Sequence, residues 1–91
     1  MSVRLQLPPM LRPVMGGERC VTAEGNSIGE ALRYLSKRHP ALALHMFDER
    51  GAIRHNLVFI HEGELVRARD AAAHPIKAGD EIVLANALAG G

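Results

Sequence analysis

The chain has no tryptophan, and one tyrosine and two phenylalanines are its only other large aromatics. That leaves little material for a platform on which nucleic-acid bases could stack. It also lacks a charge excess: 11 Lys and Arg stand against 10 Asp and Glu, for a formal charge of +1. Such a balance gives no general attraction to polyanions or anionic lipid, so neither nucleic acid nor membrane is expected as a partner. A single cysteine, Cys20, excludes an internal disulfide framework and fits a reducing compartment. No apolar run approaches the roughly 20 residues that span a bilayer. The opening MSVRLQLPPM has neither the long apolar stretch nor the small-residue cleavage site of a secretory signal. The chain therefore reads as soluble and cytoplasmic.

Catalytic signatures are missing as well. There is no phosphate loop, nucleophile elbow or dinucleotide fingerprint, and Gly16-Gly17 reads as a turn. Glu18, Glu24, Asp48 and Glu49 form no pairing that suggests acid–base work. His39, His45, His55, His61 and His74 are scattered without metal-site spacing, and they are expected to be solvated or capping residues. Cys20 falls in an extended stretch with no basic pair or helix N-terminus beside it, so it reads as a small structural hydrophobe. Arg4 and Arg12 are candidates for a docking face, although surface arginines are commonly only solvated. No metal and no stably bound cofactor is expected. The chain does not read as an enzyme.

What is present is one domain's worth of pattern. At 91 residues and 47% hydrophobic content the chain suits a single small core, and a domain of this size buries about 60% of the surface its unfolded chain exposes. Val3, Leu5 and Leu7 alternate with Arg4 and Gln6, the mark of a half-buried strand that Pro8 and Pro9 end. Arg19 to Ala23 is a second extended stretch, forming a hairpin with the first across a long turn region. Ser27 with Glu30 is a capping box. Behind it Ile28, Ala31, Leu32 and Leu35 share one helical face, Lys37, Arg38 and His39 occupy the last turn, and Pro40 stops the helix. Gly29 inside this helix is tolerable if the sheet packs closely against it.

Ala41 to Phe47 reads as a short helical turn over the core, followed by a polar turn at Asp48 to Gly51. Leu57 to Ile60 and Leu65-Val66 make a second hairpin across Glu62-Gly63, residues 67–74 carry little signal, and Glu81 to Leu84 form the last strand. Expected core residues are Val3, Leu5, Leu7, Ile28, Leu32, Leu35, Val58, Ile60, Ile82 and Leu84. The expected class is α+β, a ubiquitin-like β-grasp with a mixed sheet of four to five strands and one main helix packed across it. The domain is expected over residues 1–84, with residues 85–91 as a flexible Gly-Gly tail.

Gly79-Asp80-Glu81-Ile82 opening the last strand, and Leu88-Ala89-Gly90-Gly91 behind it, resemble the ubiquitin-like sulfur-carrier (MoaD/ThiS) family. That family includes the small subunit of molybdopterin synthase and the sulfur carrier of thiamine biosynthesis. Leu7-Pro8, Leu11-Arg12-Pro13, Gly16-Gly17 and Ser27-Ile28-Gly29-Glu30-Ala31-Leu32 look closest to the branch that delivers sulfide for cysteine biosynthesis and related pathways. The tail departs from the pattern, since members often carry proline before the final glycines and Ala85-Asn86-Ala87 stands here. The resemblance implies that an E1-like enzyme adenylates the Gly91 carboxylate with ATP. A sulfur donor would then convert it to a thiocarboxylate, and an acceptor synthase would consume the sulfide. Leu88, Ala89 and Gly90 would thread the partner's active site. Side-chain volume beside the reacting carbonyl would clash in a narrow channel, and glycine reaches backbone angles closed to other residues. The alternatives are a ubiquitin-like modifier joined to lysines through Gly91, and a β-grasp interaction module in which the tail is irrelevant.

Overall fold

A computed structural model describes residues 2–86. β1, Ser2–Gln6, keeps Val3 and Leu5 inside and Ser2, Arg4 and Gln6 outside. Proline lacks the amide a ladder needs, so at Pro8-Pro9 the chain leaves the sheet. It passes through two 3-10 turns, Pro9–Leu11 and Pro13–Met15, which bury Leu11. Gly16, at φ 67°, closes the second turn in the left-handed region that glycine enters without strain. β2, Cys20–Glu24, returns antiparallel to β1, from Ser2↔Glu24 to Gln6↔Cys20.

α1, Ile28–Arg38, begins as its sequence predicts. Ser27 Oγ accepts from Glu30 N at 3.1 Å, while the Glu30 carboxylate accepts from Asn26 N, one residue before the cap, at 3.0 Å. Its buried face is Ile28, Gly29, Ala31, Leu32 and Leu35. Gly29 packs closely, but not against the sheet. A Cβ there would lie 2.6 Å from the carbonyl oxygen of Ala72. Pro40 does more than stop α1. It is the first residue of α2, Pro40–Met46, a position where its missing N–H costs nothing. α2 lays Leu42 and Met46 on the core.

β3, Leu57–His61, and β4, Glu64–Arg67, form a hairpin whose turn residues Glu62 and Gly63 have φ 53° and 79°. Two positive values in a two-residue loop match the twist of the strands. α3, Ala68–Ala71, is a single short helix where the sequence carried little signal. β5, Glu81–Asn86, then enters the middle of the sheet. The strand order is β2-β1-β5-β3-β4, with β5 parallel to β1 and antiparallel to β3. This is the mixed five-stranded β-grasp expected, with the helices on one face.

Two expectations change. β3 has the opposite phase: Leu57, Phe59 and His61 point inward, while Val58 is half-buried and Ile60 is 39% exposed. Val58 and Ile60 are therefore not core residues. The other eight expected core residues are buried. β5 also runs two residues beyond Leu84, pairing Ala85 with Val58 and Asn86 with Leu57, so the ordered sheet reaches into the segment read as tail.

Candidate functional site

The residues expected to carry chemistry, Leu88, Ala89, Gly90 and Gly91, lie outside the described residues. What the structure defines is the platform from which they leave. Pairing of β1 with β5 stops at Gln6↔Val83, because Pro8 and Pro9 turn the chain away. Pairing of β3 with β5 continues to Leu57↔Asn86, and Asn56 Nδ2 donates to Asn86 Oδ1 at 3.1 Å. The end of β5 is thus paired on its β3 side and bordered by a groove on its β1 side, across which Asn86 Nδ2 donates to Met10 Sδ. That groove encloses about 510 Å³ between Leu7, Pro8, Pro9 and Met10 on one wall and Val83 to Asn86 on the other. Arg12 Nε donates to Leu7 O at 3.1 Å and fixes the groove's end. Met10 is 62% exposed at its rim.

Part of the groove's lining, Gln6, Val83 and Ala85, belongs to the helix-free face of the sheet. Inward Leu5, Ile82, Leu84 and Phe59 set the register. Val83, Ala85, Val58, Ile60 and Leu65 must therefore share the opposite face. Ile60 pairs with both Val83 and Leu65, which makes an apolar strip across three strands. Leu65 is 54% exposed. This strip was hidden in the sequence by the wrong phase of β3. Once His61 is read in step with Leu57 and Phe59, Val58 and Ile60 fall outside.

Cys20 also lies on the open face, half-buried, and not in the core as a hydrophobe. It does have a basic neighbour. The Arg4 guanidinium is held above its ordinary range, first by a hydrogen bond to Cys20, then by the charges of Cys20 and Glu81. Gln6 Nε2 donates to the Glu81 carboxylate beside it.

At the other end of β5, the histidines depart furthest from expectation. His61 is buried, with Nε2 2.8 Å from Asp80 Oδ2 and Nδ1 2.9 Å from His74 Nε2. An ionised carboxylate only accepts, so His61 Nε2–H donates to Asp80; in the neutral ring Nδ1 then accepts from His74 Nε2–H. Asp80 Oδ2 also accepts from Lys77 N at 2.8 Å. The His61 hydrogen bond, then the Lys77 amide, hold Asp80 below the usual carboxylate range. Glu62 brings a third possible ligand atom within 4.8 Å of those of His61 and Asp80. Since His61 and Asp80 already satisfy one another, the group works as a clasp joining the β3–β4 hairpin to the start of β5. Residue 80 of the Gly79-Asp80-Glu81-Ile82 motif thus has a structural task.

The profile of the ThiS family matches residues 6–91. The chain belongs to the ThiS family. It is 30% identical to the sulfur carrier protein CysO of Mycobacterium bovis over 93 aligned residues, covering all of both chains. Among solved structures, SAMP1 from Haloferax volcanii superposes with a TM-score of 0.81 at 29% identity, covering all of both chains. The Amycolatopsis orientalis BexX/CysO complex contains a chain matching with a TM-score of 0.79 at 25% identity, over 98% of this chain and 99% of that one. Among the described residues, no helix is long and apolar enough to cross a membrane.

Proposed function

We propose that this ThiS-family protein is a sulfur carrier that holds sulfide as a thiocarboxylate at Gly91. The observation that carries the reading is a central strand, β5, delivering Leu88-Ala89-Gly90-Gly91 from a family match that runs through residue 91. A carboxylate is a poor electrophile, so the proposed cycle begins in a partner. An E1-like enzyme joins the Gly91 carboxylate to the α-phosphate of ATP and releases pyrophosphate. A sulfur nucleophile then attacks the acyl carbon, AMP leaves, and the C–S bond remains. Transfer of that sulfur to an acceptor synthase's activated substrate, with hydrolysis, restores the carboxylate. ATP belongs to the activating enzyme, and the chain is its co-substrate rather than a catalyst.

The similarity to the sulfur carrier protein CysO supports the carrier role, and delivery toward cysteine or a related sulfur metabolite, in the cytoplasm, is part of the same proposal. A pyrophosphate-exchange assay with an E1-like enzyme from the same genome tests the reading. The full chain supports ATP-dependent exchange, and a chain lacking Gly91 does not while keeping its thermal midpoint. Exchange unaffected by the deletion contradicts it. A second reading, conjugation of Gly91 to lysines of other proteins, draws support from the likeness to SAMP1. Its mark would be lysine-linked conjugates.

A further inference from the structure

The clasp at the start of β5 has more donor atoms around it than its hydrogen bonds use. His61 and Asp80 bond to each other, and His74 and the Lys77 amide occupy their remaining positions. Glu62 takes no part in these bonds. Yet one of its carboxylate oxygens lies within 4.8 Å of ligand atoms on both His61 and Asp80. Strand neighbours point to opposite faces, so His61 and Glu62 would diverge if β3 simply continued. Glu62 instead turns at φ 53°, the only non-glycine at positive φ among the described residues. A two-residue hairpin loop favours Asn, Asp or Gly at such a position. Glutamate there keeps backbone strain that those residues would relieve, and it brings a second carboxylate to a buried histidine.

One imidazole and two carboxylates are ligands for a first-row divalent ion. Two ligand atoms on a tetrahedral zinc lie roughly 3.3 Å apart. His61 Nε2 and Asp80 Oδ2, now 2.8 Å apart, need therefore separate by only about 0.5 Å. His74 supplies the outer support. A ligating imidazole commonly donates its other ring N–H to an acceptor behind it, and His61 Nδ1 already faces His74 Nε2 at 2.9 Å. When the ion takes His61 Nε2, the proton there goes to water. His74 gives its Nε2 proton to His61 Nδ1 and regains one from water on its own Nδ1. Both rings stay neutral and no proton is lost overall. The charges of Glu62 and Asp80 then balance the dication. Lys77, whose charge Asp80 feels, is offset by Glu64 opposite His61 in the ladder.

We propose that His61, Glu62 and Asp80 form a zinc site, with water in the fourth position and His74 behind His61. The ion cross-links the β3–β4 hairpin to the start of β5, and the site is independent of the chemistry at Gly91. The probe is Zn2+ alone, titrated calorimetrically into the untagged, chelator-treated full chain, with thermal midpoints read alongside. One ion per chain is expected to bind with a Kd of about 1 μM and to raise the midpoint, as a ligand of the folded state does. Mg2+ prefers oxygen ligands and keeps its waters, so it should do neither. Removing His61 would also open the clasp, so the deciding variant is Glu62→Gln. Glu62 is exposed and outside the hydrogen-bonded clasp, so this variant keeps the metal-free midpoint. Its Zn2+ affinity should fall about tenfold or more. An affinity unchanged in Glu62→Gln would place the ion on other histidines and overturn the site. So would an equal response to Mg2+, or a Kd for Zn2+ weaker than about 100 μM.

Discussion

Phe59 and His61 stand two residues apart on the same inward row of β3 and do opposite work. Phe59 is fully buried among Leu5, Leu57, Ile82 and Leu84, and its contribution is apolar area and close packing. Truncation to alanine would leave a cavity, at a cost of about 3–5 kcal/mol. Chemical denaturation of Phe59→Ala should show that loss, and a change below 1 kcal/mol would mean that the core relaxes around the gap. His61 is buried because its two nitrogens are both occupied, which removes the penalty of an unpaired polar group. Asp80, held below the ordinary carboxylate range by His61, stabilises the fold above the unfolded carboxylate pKa and loses that contribution as pH falls through its own lowered value. The stability gap between the parent and Asp80→Asn should therefore be fully open near neutral pH and narrow below about pH 4. Melts across pH showing a constant gap would place the loss in packing and not in the hydrogen bond from His61 to the ionised Asp80 carboxylate. None of this network was visible in the spacing of five histidines. The cue lay in the period of β3, where His61 follows Leu57 and Phe59.

At the scale of elements, legibility tracked contrast between neighbouring residues. β1 alternates Val3, Leu5 and Leu7 with polar residues, so its inner face could be read directly. Leu57 to Ile60 are all apolar, so alternation carries no phase and points to Val58 and Ile60 as readily as to the buried Leu57 and Phe59. α3 is four residues of Ala, Arg, Asp and Ala, too short to show helical periodicity. Yet it directs α1, because Ala72 just beyond it sits against Gly29. In an exposed helix, alanine would improve on glycine by about 1 kcal/mol. Here the added Cβ would meet backbone, 2.6 Å from the Ala72 oxygen and 2.9 Å from its Cα. Gly29→Ala should therefore lower the thermal midpoint. An unchanged or raised midpoint would show that residues 71–73 can retreat. Ser27→Ala removes the cap on Glu30 N and should cost about 1 kcal/mol, read by the same melt.

For the whole molecule, the fold's consequence is to aim one end of its central strand. β5 has neighbours on both sides at its start and only β3 at its finish. The double proline after β1 thereby makes the groove beside the departing chain. This platform was only half legible in sequence: the β-grasp order followed from the elements, but the open apolar face needed the phase of β3. If Gly90 and Gly91 work by fitting a confined partner site, Gly90→Leu should block activation with the thermal midpoint nearly unchanged. A large drop in the midpoint would instead make the tail part of the fold. The most direct test of the carrier account is an intact-mass spectrum of N-terminally tagged protein from its native host, with and without a thiol-alkylating reagent. The account predicts a species heavier by one oxygen-to-sulfur exchange that maps to Gly91 on fragmentation and is alkylated. Unmodified protein alone, under conditions where a known carrier shows the exchange, would contradict it.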